Sequence, residues 1–251
     1  IIFYHQTNLF SMKILVDIGH PAHVHFFKNL SYKFIERGYD VLFTSRKKEF
    51  TSYLLNNCNF KSIMIMDNQK GLFKKILGMF YYEYMLRKIT LDFKPDLMMG
   101  ISSFYSSHVG KLLGIPSFIF HDTEITKIEI NLFRFFSTKI ITPDCYTIDL
   151  GKNHIRYNGY HELAYLHPQV YSSSKRAHEL LGISKDEKYM VMRFVSWSAG
   201  HDVGHKGILN NYKRLAVKLF SRYCKVFISA EDSLPKDLER YRIKIQPEYI
   251  H

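Results

Sequence analysis

From Met12 onward, short apolar runs alternate with longer stretches in which apolar positions recur every three or four residues. The first kind fits a buried strand and the second an amphipathic helix. Lys13–Asp17 reads as a strand, followed by a helix to about Arg37 with Gly38 as its stop, and then a second strand at Asp40–Thr44. Further strands are predicted at Ser62–Met66, Asp96–Gly100, Ser117–His121 and Lys139–Thr142, with helices near Lys47–Asn56, Leu72–Leu91, Tyr105–Leu113 and Lys127–Phe136. Pro95 and Pro116 fall at or just before strand starts, where a missing N–H is tolerated. Regular alternation of this kind predicts an α/β fold built on a doubly wound, mostly parallel sheet.

The rhythm pauses at 166–174, where His167-Pro168-Gln169-Val170-Tyr171 runs into Ser172-Ser173-Ser174 and reads as a linker. It resumes with a strand at Tyr189–Phe194, a helix over about Leu209–Tyr223, a strand at Lys225–Ser229 and a third strand at Arg242–Ile245. The expected organisation is a first Rossmann-like domain over 12–165 and a second over 175–251. A doubly wound domain usually takes on the order of 100–150 residues, so the second is expected to be incomplete. Residues 1–11 lack the basic flank and long apolar region of a signal peptide and read as an extension upstream of Met12.

Composition adds little to the fold but narrows the function. With 46% hydrophobic residues in 251, the chain has enough apolar material for a real core. Its three cysteines, Cys58, Cys145 and Cys224, are widely spaced, which argues against a disulfide framework or zinc site and for a reducing, cytoplasmic setting. No window reaches the roughly 20 apolar residues of a membrane span. The net charge of +12 points to an anionic partner. No aromatic-basic signature of a nucleic-acid module accompanies it. Residues 70–88 mix Leu72, Phe73, Ile76, Leu77, Phe80, Tyr84 and Met85 with Lys70, Lys74, Lys75, Arg87 and Lys88, a pattern suited either to core packing or to peripheral contact with a membrane surface.

Candidate chemistry collects where strands end. After the first strand comes Gly19-His20-Pro21, with His23 and His25 soon after. Pro21 suits the first turn of a helix, which puts His20 at a positive helix end where a neutral imidazole can serve as general base. Gly19 and His23 would line the same turn, and the alternative is that these histidines cap the helix. His121-Asp122-Thr123-Glu124 follows a later strand; Asp122 could orient His20, or the acidic group could cap the next helix. Gly100-Ile101-Ser102-Ser103 offers small hydroxyl residues at a third strand end, fit for sugar or phosphate oxygens or for a helix cap. In the second unit Arg193 opens a long loop with Ser196, His201, His205 and Lys206, which could cradle a diphosphate or be solvated.

Four stretches, Asp17–Phe27, His121–Glu124, Tyr157–Leu166 and Arg193–Gly207, resemble the domain-of-unknown-function family 354 (DUF354), which is similar to GT-B glycosyltransferases and UDP-N-acetylglucosamine 2-epimerases. The resemblance implies a GT-B-like fold with an acceptor-side N-terminal domain and a donor-side C-terminal domain. It implies metal-independent transfer from a nucleotide-sugar, UDP-linked, to a glycan or lipid-linked acceptor in surface polysaccharide or glycolipid assembly, at the inner membrane face. His20 would act as base and Asp122 as its support. Gly19, His23, Ser102, Ser103 and Glu124 would meet the acceptor, and Arg193, Ser196, His201, His205 and Lys206 the donor phosphates. No cofactor or metal is implied. Members continue beyond a segment like Ile245–His251, so the chain is expected to be C-terminally truncated and short of a complete donor site. The alternatives are a UDP-N-acetylhexosamine 2-epimerase and a non-catalytic module for anionic polymers or membranes.

Overall fold

The computed structural model describes residues 11–47, 49–67, 72–171, 175–184, 186–195 and 207–245. The chain divides into two compact units, Ile1–Tyr171 and Ser172–His251. The first unit runs β1 (Lys13–Ile18), α1 (Pro21–Glu36), β2 (Asp40–Lys47), α2 (Glu49–Asn57), β3 (Lys61–Asp67), α3 (Leu72–Phe93), β4 (Leu97–Ile101), α4 (Phe104–Leu113), β5 (Ser117–Phe120), α5 (Lys127–Arg134), β6 (Lys139–Pro143), β7 (His154–Tyr157) and α6 (Leu163–Leu166). Its strands form one seven-stranded sheet in the order β3-β2-β1-β4-β5-β6-β7, every neighbouring pair parallel.

Strands buried on both faces need apolar residues at successive positions, and β1 shows how they are divided. Ile14, Val16 and Ile18 face Val24, Phe26 and Phe27 of α1 and Leu54 and Leu55 of α2. Leu15 faces the other way, toward Tyr82, Leu86 and Ile89 of α3 and Val109 of α4. A third cluster, Ile119, Ile130, Phe133 and Ile140, fixes α5 over β5 and β6. Right-handed crossovers explain the layering: the chain winds from β1 toward β3 with helices on one face, then returns through β4 with helices on the other. Helix α1 stops at Gly38, whose φ of +82° few other residues adopt cheaply.

Strand β2 runs three residues beyond the expected Thr44, and its parallel pairing with β3 continues to Lys47 through a register shift at Ser45/Arg46. Strand β7 has no counterpart among the predicted elements. Its four residues are half-buried to exposed, so the sequence carries no apolar run, and their pairing with β6 makes the strand.

Helix α3 is apolar nearly all round but only one side is buried. Tyr82, Leu86 and Ile89 enter the core, while Ile76, Leu77, Phe80 (69% exposed), Tyr81, Tyr84 (62%) and Leu91 look outward beside exposed Arg87 and Lys88.

The second unit contains α7 (Lys175–Leu181), β8 (Tyr189–Phe194), α8 (Asn210–Phe220) and β9 (Lys225–Ala230). β8 and β9 pair in parallel over a small core of Val217, Val226, Ile228, Leu234 and Leu238. The expected third strand at Arg242–Ile245 is reduced to a single bridge between Ile228 and Arg242. The Arg242 guanidinium explains this, because it binds the carbonyls of Ala230 and Asp232 and the carboxylate of Glu239, holding the chain in a turn.

Phe27 is fully buried and meets Phe26 and Phe120 edge-on. Phe27→Ala is expected to cost about 3–5 kcal/mol in urea unfolding. Ile35→Ala on the same helix, at a side chain 45% exposed, should stay within about 0.5 kcal/mol of the parent.

Candidate functional site

The strand order places a topological switch point between β1 and β4, because the chain leaves β1 toward α1 on one face and β4 toward α4 on the other. Crevices at such points, outside the carboxyl ends of the strands, are where open α/β sheets bind ligands. The ends of β1, β4 and β5 are neighbours there, and they bring together the turns that carry Gly19, His20, Ser102, Ser103 and Asp122.

His20 is the N-cap of α1. Its backbone is extended (φ −145°, ψ 150°), Pro21 follows at the first helical position, and its Nδ1 accepts the Ala22 N–H at 3.2 Å. His23, one turn in, uses its own Nδ1 to accept the Gly19 N–H at 3.3 Å, and the two rings stand 6.0 Å apart. The expected capping is therefore observed at this turn, at the switch-point end of β1. An Nδ1 that accepts cannot carry the proton of a neutral ring, so in this geometry both neutral histidines hold that proton on Nε2. The lone pair of His20 that could take a proton is therefore the one on Nδ1, and the ring can act as a base only by giving up its cap. One exposed hydrogen bond of this kind is worth about 0.5–1.5 kcal/mol, a modest penalty beside a catalytic barrier.

At the end of β4, Gly100 permits a close approach that any side chain would block, since a Cβ there would lie 2.6 Å from Ser103 Cβ. Ser102 adopts φ +51°, rare for a residue other than glycine. It is held there by its N–H to the Phe120 carbonyl (2.9 Å) and by Oγ against His121 Nδ1 (2.8 Å). Ser103 caps α4 by accepting the Ser106 N–H (3.1 Å) and donates to Asp17 Oδ2 (2.6 Å). Ser103 is thus buried structure, whereas Ser102 is half-exposed.

Asp17 is a component of the site that sequence patterning alone does not single out. It is buried at the end of β1 and accepts from Thr44 (2.9 Å), Tyr82 (2.5 Å) and Ser103 (2.6 Å). Burial raises its pKa, while the three hydroxyls and the Arg46 charge pull against that. Arg46 lies over the Tyr82 and Tyr105 rings and donates to the Tyr105 hydroxyl. A carboxylate inside an apolar run is a visible signal, but its partners come from three distant elements that no local pattern connects.

The end of β5 also differs from expectation. The acidic residues do not cap α5, whose N-cap is Thr126 without a side-chain bond. Glu124 instead accepts from the backbone N–H and hydroxyl of Thr147, which lowers its pKa and ties the loop to the segment after β6. His121 is fully buried, and desolvation lowers its pKa, with the Thr123 backbone and Asp122 acting in the opposite direction. Asp122 Oδ2 lies 2.9 Å from Nδ1 of His161, a residue that falls within the Tyr157–Leu166 stretch but has no predicted role. The contact lies off the line of a strong N–H···O bond, so the pairing is electrostatic more than directional. His161 and then Thr123 hold Asp122 down to a pKa of about 2 against the opposing effect of burial.

In the second unit, Arg193 donates to Glu231 (2.7 Å) and faces Ser229 (3.4 Å), so its charge is already paired. Ser196, His201, His205 and Lys206 lie outside the described residues. Among the described residues no three of His, Cys, Asp and Glu gather closely enough to hold a metal ion.

Known proteins share both the sequence and the fold. Residues 12–237 match the family described as "Protein of unknown function (DUF354)". An uncharacterized protein of Methanocaldococcus jannaschii is 25% identical over 243 residues, covering 92% of this chain and 70% of that protein. Among solved structures, the UDP-GlcNAc 2-epimerase of Neisseria meningitidis bound to UDP-GlcNAc superposes with a TM-score of 0.61 at 14% identity, over 91% of this chain and 67% of that one. The glycosyltransferase SsfS6 of Streptomyces sp. SF2575 gives 0.52 at 14% identity, over 90% and 70%. At these identities the likeness is one of fold: a GT-B-like, Rossmann-like α/β architecture.

Ser103→Ala removes a helix cap and a buried donor together, and is expected to destabilise by about 2–4 kcal/mol in chemical denaturation. Ser107→Ala, equally buried but bonded only to the Phe104 carbonyl of its own helix, should cost less.

Proposed function

The chain belongs to the DUF354 family, and from that premise we propose that it acts on a nucleotide-sugar, transferring the sugar by metal-independent acid–base chemistry with the first unit receiving the acceptor. The observation that carries this reading is the convergence of His20, Ser102 and Asp122 on three adjacent strand ends at the β1/β4 switch point. A UDP-linked N-acetylhexosamine is the favoured donor, by analogy with the structurally similar epimerase that binds UDP-GlcNAc.

In this reading an acceptor hydroxyl approaches His20, which releases the Ala22 N–H and takes the hydroxyl proton on the freed Nδ1 as the oxygen attacks the anomeric carbon and the bond from that carbon to the nucleoside diphosphate breaks. Asp122, held as an anion, stabilises the positive charge that gathers on the histidine side of the reaction. Ser102, His23, Gly19 and Glu124 would surround the acceptor, with Ser103 supporting Ser102 from below. The donor phosphates are assigned to the second unit from the sequence pattern of Arg193, Ser196, His201, His205 and Lys206, and Arg193 would first have to leave Glu231.

The epimerase reading shares the donor and is favoured by the higher structural likeness to epimerases, as with the Methanocaldococcus jannaschii enzyme at a TM-score of 0.60. The two separate when the longest form the gene encodes is incubated with UDP-GlcNAc. UDP release that requires added acceptor supports transfer; epimer or free UDP without acceptor supports epimerisation; nucleotide-sugar neither bound nor turned over rejects both. His20→Ala is expected to lower kcat by roughly 100-fold or more while nucleotide binding persists. Near-normal turnover would remove His20 from the chemistry.

A lipid-linked acceptor and peripheral membrane contact are supported by the outward face of α3, where aromatic side chains stand beside Arg87 and Lys88. Vesicles containing phosphatidylglycerol should co-sediment with the protein in a salt-sensitive way and neutral phosphatidylcholine vesicles should not, and Phe80→Glu with Tyr84→Glu should abolish the effect. Equal sedimentation of the double variant would sink the membrane reading.

A further inference from the structure

His161 is a buried titratable group that the chemistry above leaves unused. It lies in the turn between β7 and α6, far in sequence from the β5 end, and its side chain is 7% exposed. Rings of Phe26 (4.7 Å between centroids), Tyr157 (6.2 Å) and Phe120 (6.3 Å) surround the imidazole. Both ring nitrogens are buried and neither makes a well-aligned hydrogen bond, but Nδ1 lies beside Asp122 Oδ2 at 2.9 Å. A buried polar ring confined by three aromatic groups is costly unless it does something that an apolar side chain could not.

We propose that His161 is a positioning residue for Asp122, an imidazole from the β7–α6 turn that fixes the orientation and the charge of the carboxylate at the switch-point site. The proposal deepens the reading under Proposed function and rests on it only for the kinetic readout below.

The proton assignment follows from elementary chemistry. A carboxylate oxygen only accepts, so the nitrogen 2.9 Å away must carry the hydrogen; otherwise two lone pairs would face each other. With the proton on Nδ1, the N–H lies against the carboxylate charge, though off the line of a strong bond, and Nε2 is left with only a lone pair. The reverse tautomer would bury an N–H without an acceptor, the rarer and costlier arrangement. The aromatic cage therefore selects the tautomer that serves Asp122. Thr123 Oγ1 donates to the other oxygen, Oδ1, at 3.0 Å, so the carboxylate is held at both ends while its side chain stays 40% exposed. The other titratable groups acting here are His121, Glu124, Glu162 and the phenols of Tyr146, Tyr157 and Tyr165.

The cage also explains the placement of the motif. Helix α6 is tied to α1 by Asn29, whose side-chain amide donates to the Ala164 carbonyl at 2.8 Å, and Tyr165 meets His25 at 5.7 Å. The helix that begins at His20 is therefore braced by the same short segment that delivers His161 to Asp122. One segment sets the geometry of both sides of the crevice.

The test is a carboxyl-carbon NMR titration of Asp122, assigned with Asp122→Asn, in the wild type and in His161→Phe and His161→Gln. The wild-type carboxylate should stay ionised well below pH 4. In His161→Phe, which keeps an aromatic filler but no donor, its midpoint should rise to about 4 or above. His161→Gln retains an N–H and should remain nearer the wild type. A folded His161→Phe protein with an unmoved Asp122 midpoint overturns the proposal. Should that variant not fold, nitrogen-15 histidine spectra of the wild type decide: Nδ1 protonated and shifted by Asp122→Asn upholds it, and Nε2 protonated refutes it. Where nucleotide-sugar turnover is measurable, His161→Phe should lower kcat roughly tenfold or more with little change in KM. Absence of any turnover would count against the proposed function, while the Asp122 titration would still decide the role of His161.

Discussion

A carboxylate buried at the end of the first strand organises the switch-point region. Asp17 collects hydroxyls from β2, α3 and the α4 cap, elements from both flanks of β1, and each donor ties its element to one point. Bonds to an ionisable group are among the stronger ones a fold can make, and leaving one unmade in the interior costs about 1–3 kcal/mol. Because Ser103 is both a donor to Asp17 and the N-cap of α4, the knot fixes where β4 ends and α4 begins. The positive φ of Ser102 follows from that constraint, and with it the approach of Ser102 to His121. Functional geometry at the β4 edge is thus inherited from a structural bond made one residue away.

The same logic separates the histidines. His20 and His23, at the start of α1, accept backbone N–H groups of their own turn and so stiffen the entry to the helix. Those at and near the β5 end are buried among aromatic rings and bind side chains: His121 meets Ser102, and His161 meets Asp122. Helix α5 supplies part of the first enclosure through Phe133, and α1 supplies part of the second through Phe26. The faces of the sheet therefore contribute differently to one edge.

Much of the first unit is legible in the chain. Continuous apolar runs mark β1, β4, β5 and β6, because strands covered on both faces cannot alternate, and Gly38 and Pro21 mark the ends of α1. What cannot be read are the features that depend on distant partners. Strand β7 has no apolar run and exists through its pairing with β6, and Arg242 converts an expected strand into a turn by reaching three carbonyl and carboxylate groups. At the site, local signals find the turns but misassign some roles. Asp122 and Glu124 look like helix caps because their spacing suits one, yet their partners are His161 and Thr147, both contributed after β6. Spacing along the chain reports on one helix or strand; a carboxylate chooses among all the donors that the fold brings near.

For the proposed reaction, these differences in burial favour one side of the crevice for the moving proton. His121 and His161 are buried, and protonating either ring would place a charge where water cannot solvate it. His20 is exposed, and its Nδ1 accepts a backbone N–H at 3.2 Å, a bond that costs about 1 kcal/mol to release. Chemistry that shuttles a proton needs one group able to change state against a background that does not reorganise. The β1 edge supplies the changeable group, and the β5 edge supplies a carboxylate whose charge stays constant through the physiological pH range. Reversing the assignment would ask an enclosed ring to gain and lose a charge, which is why the proposed base is the most exposed of these histidines rather than the most perturbed.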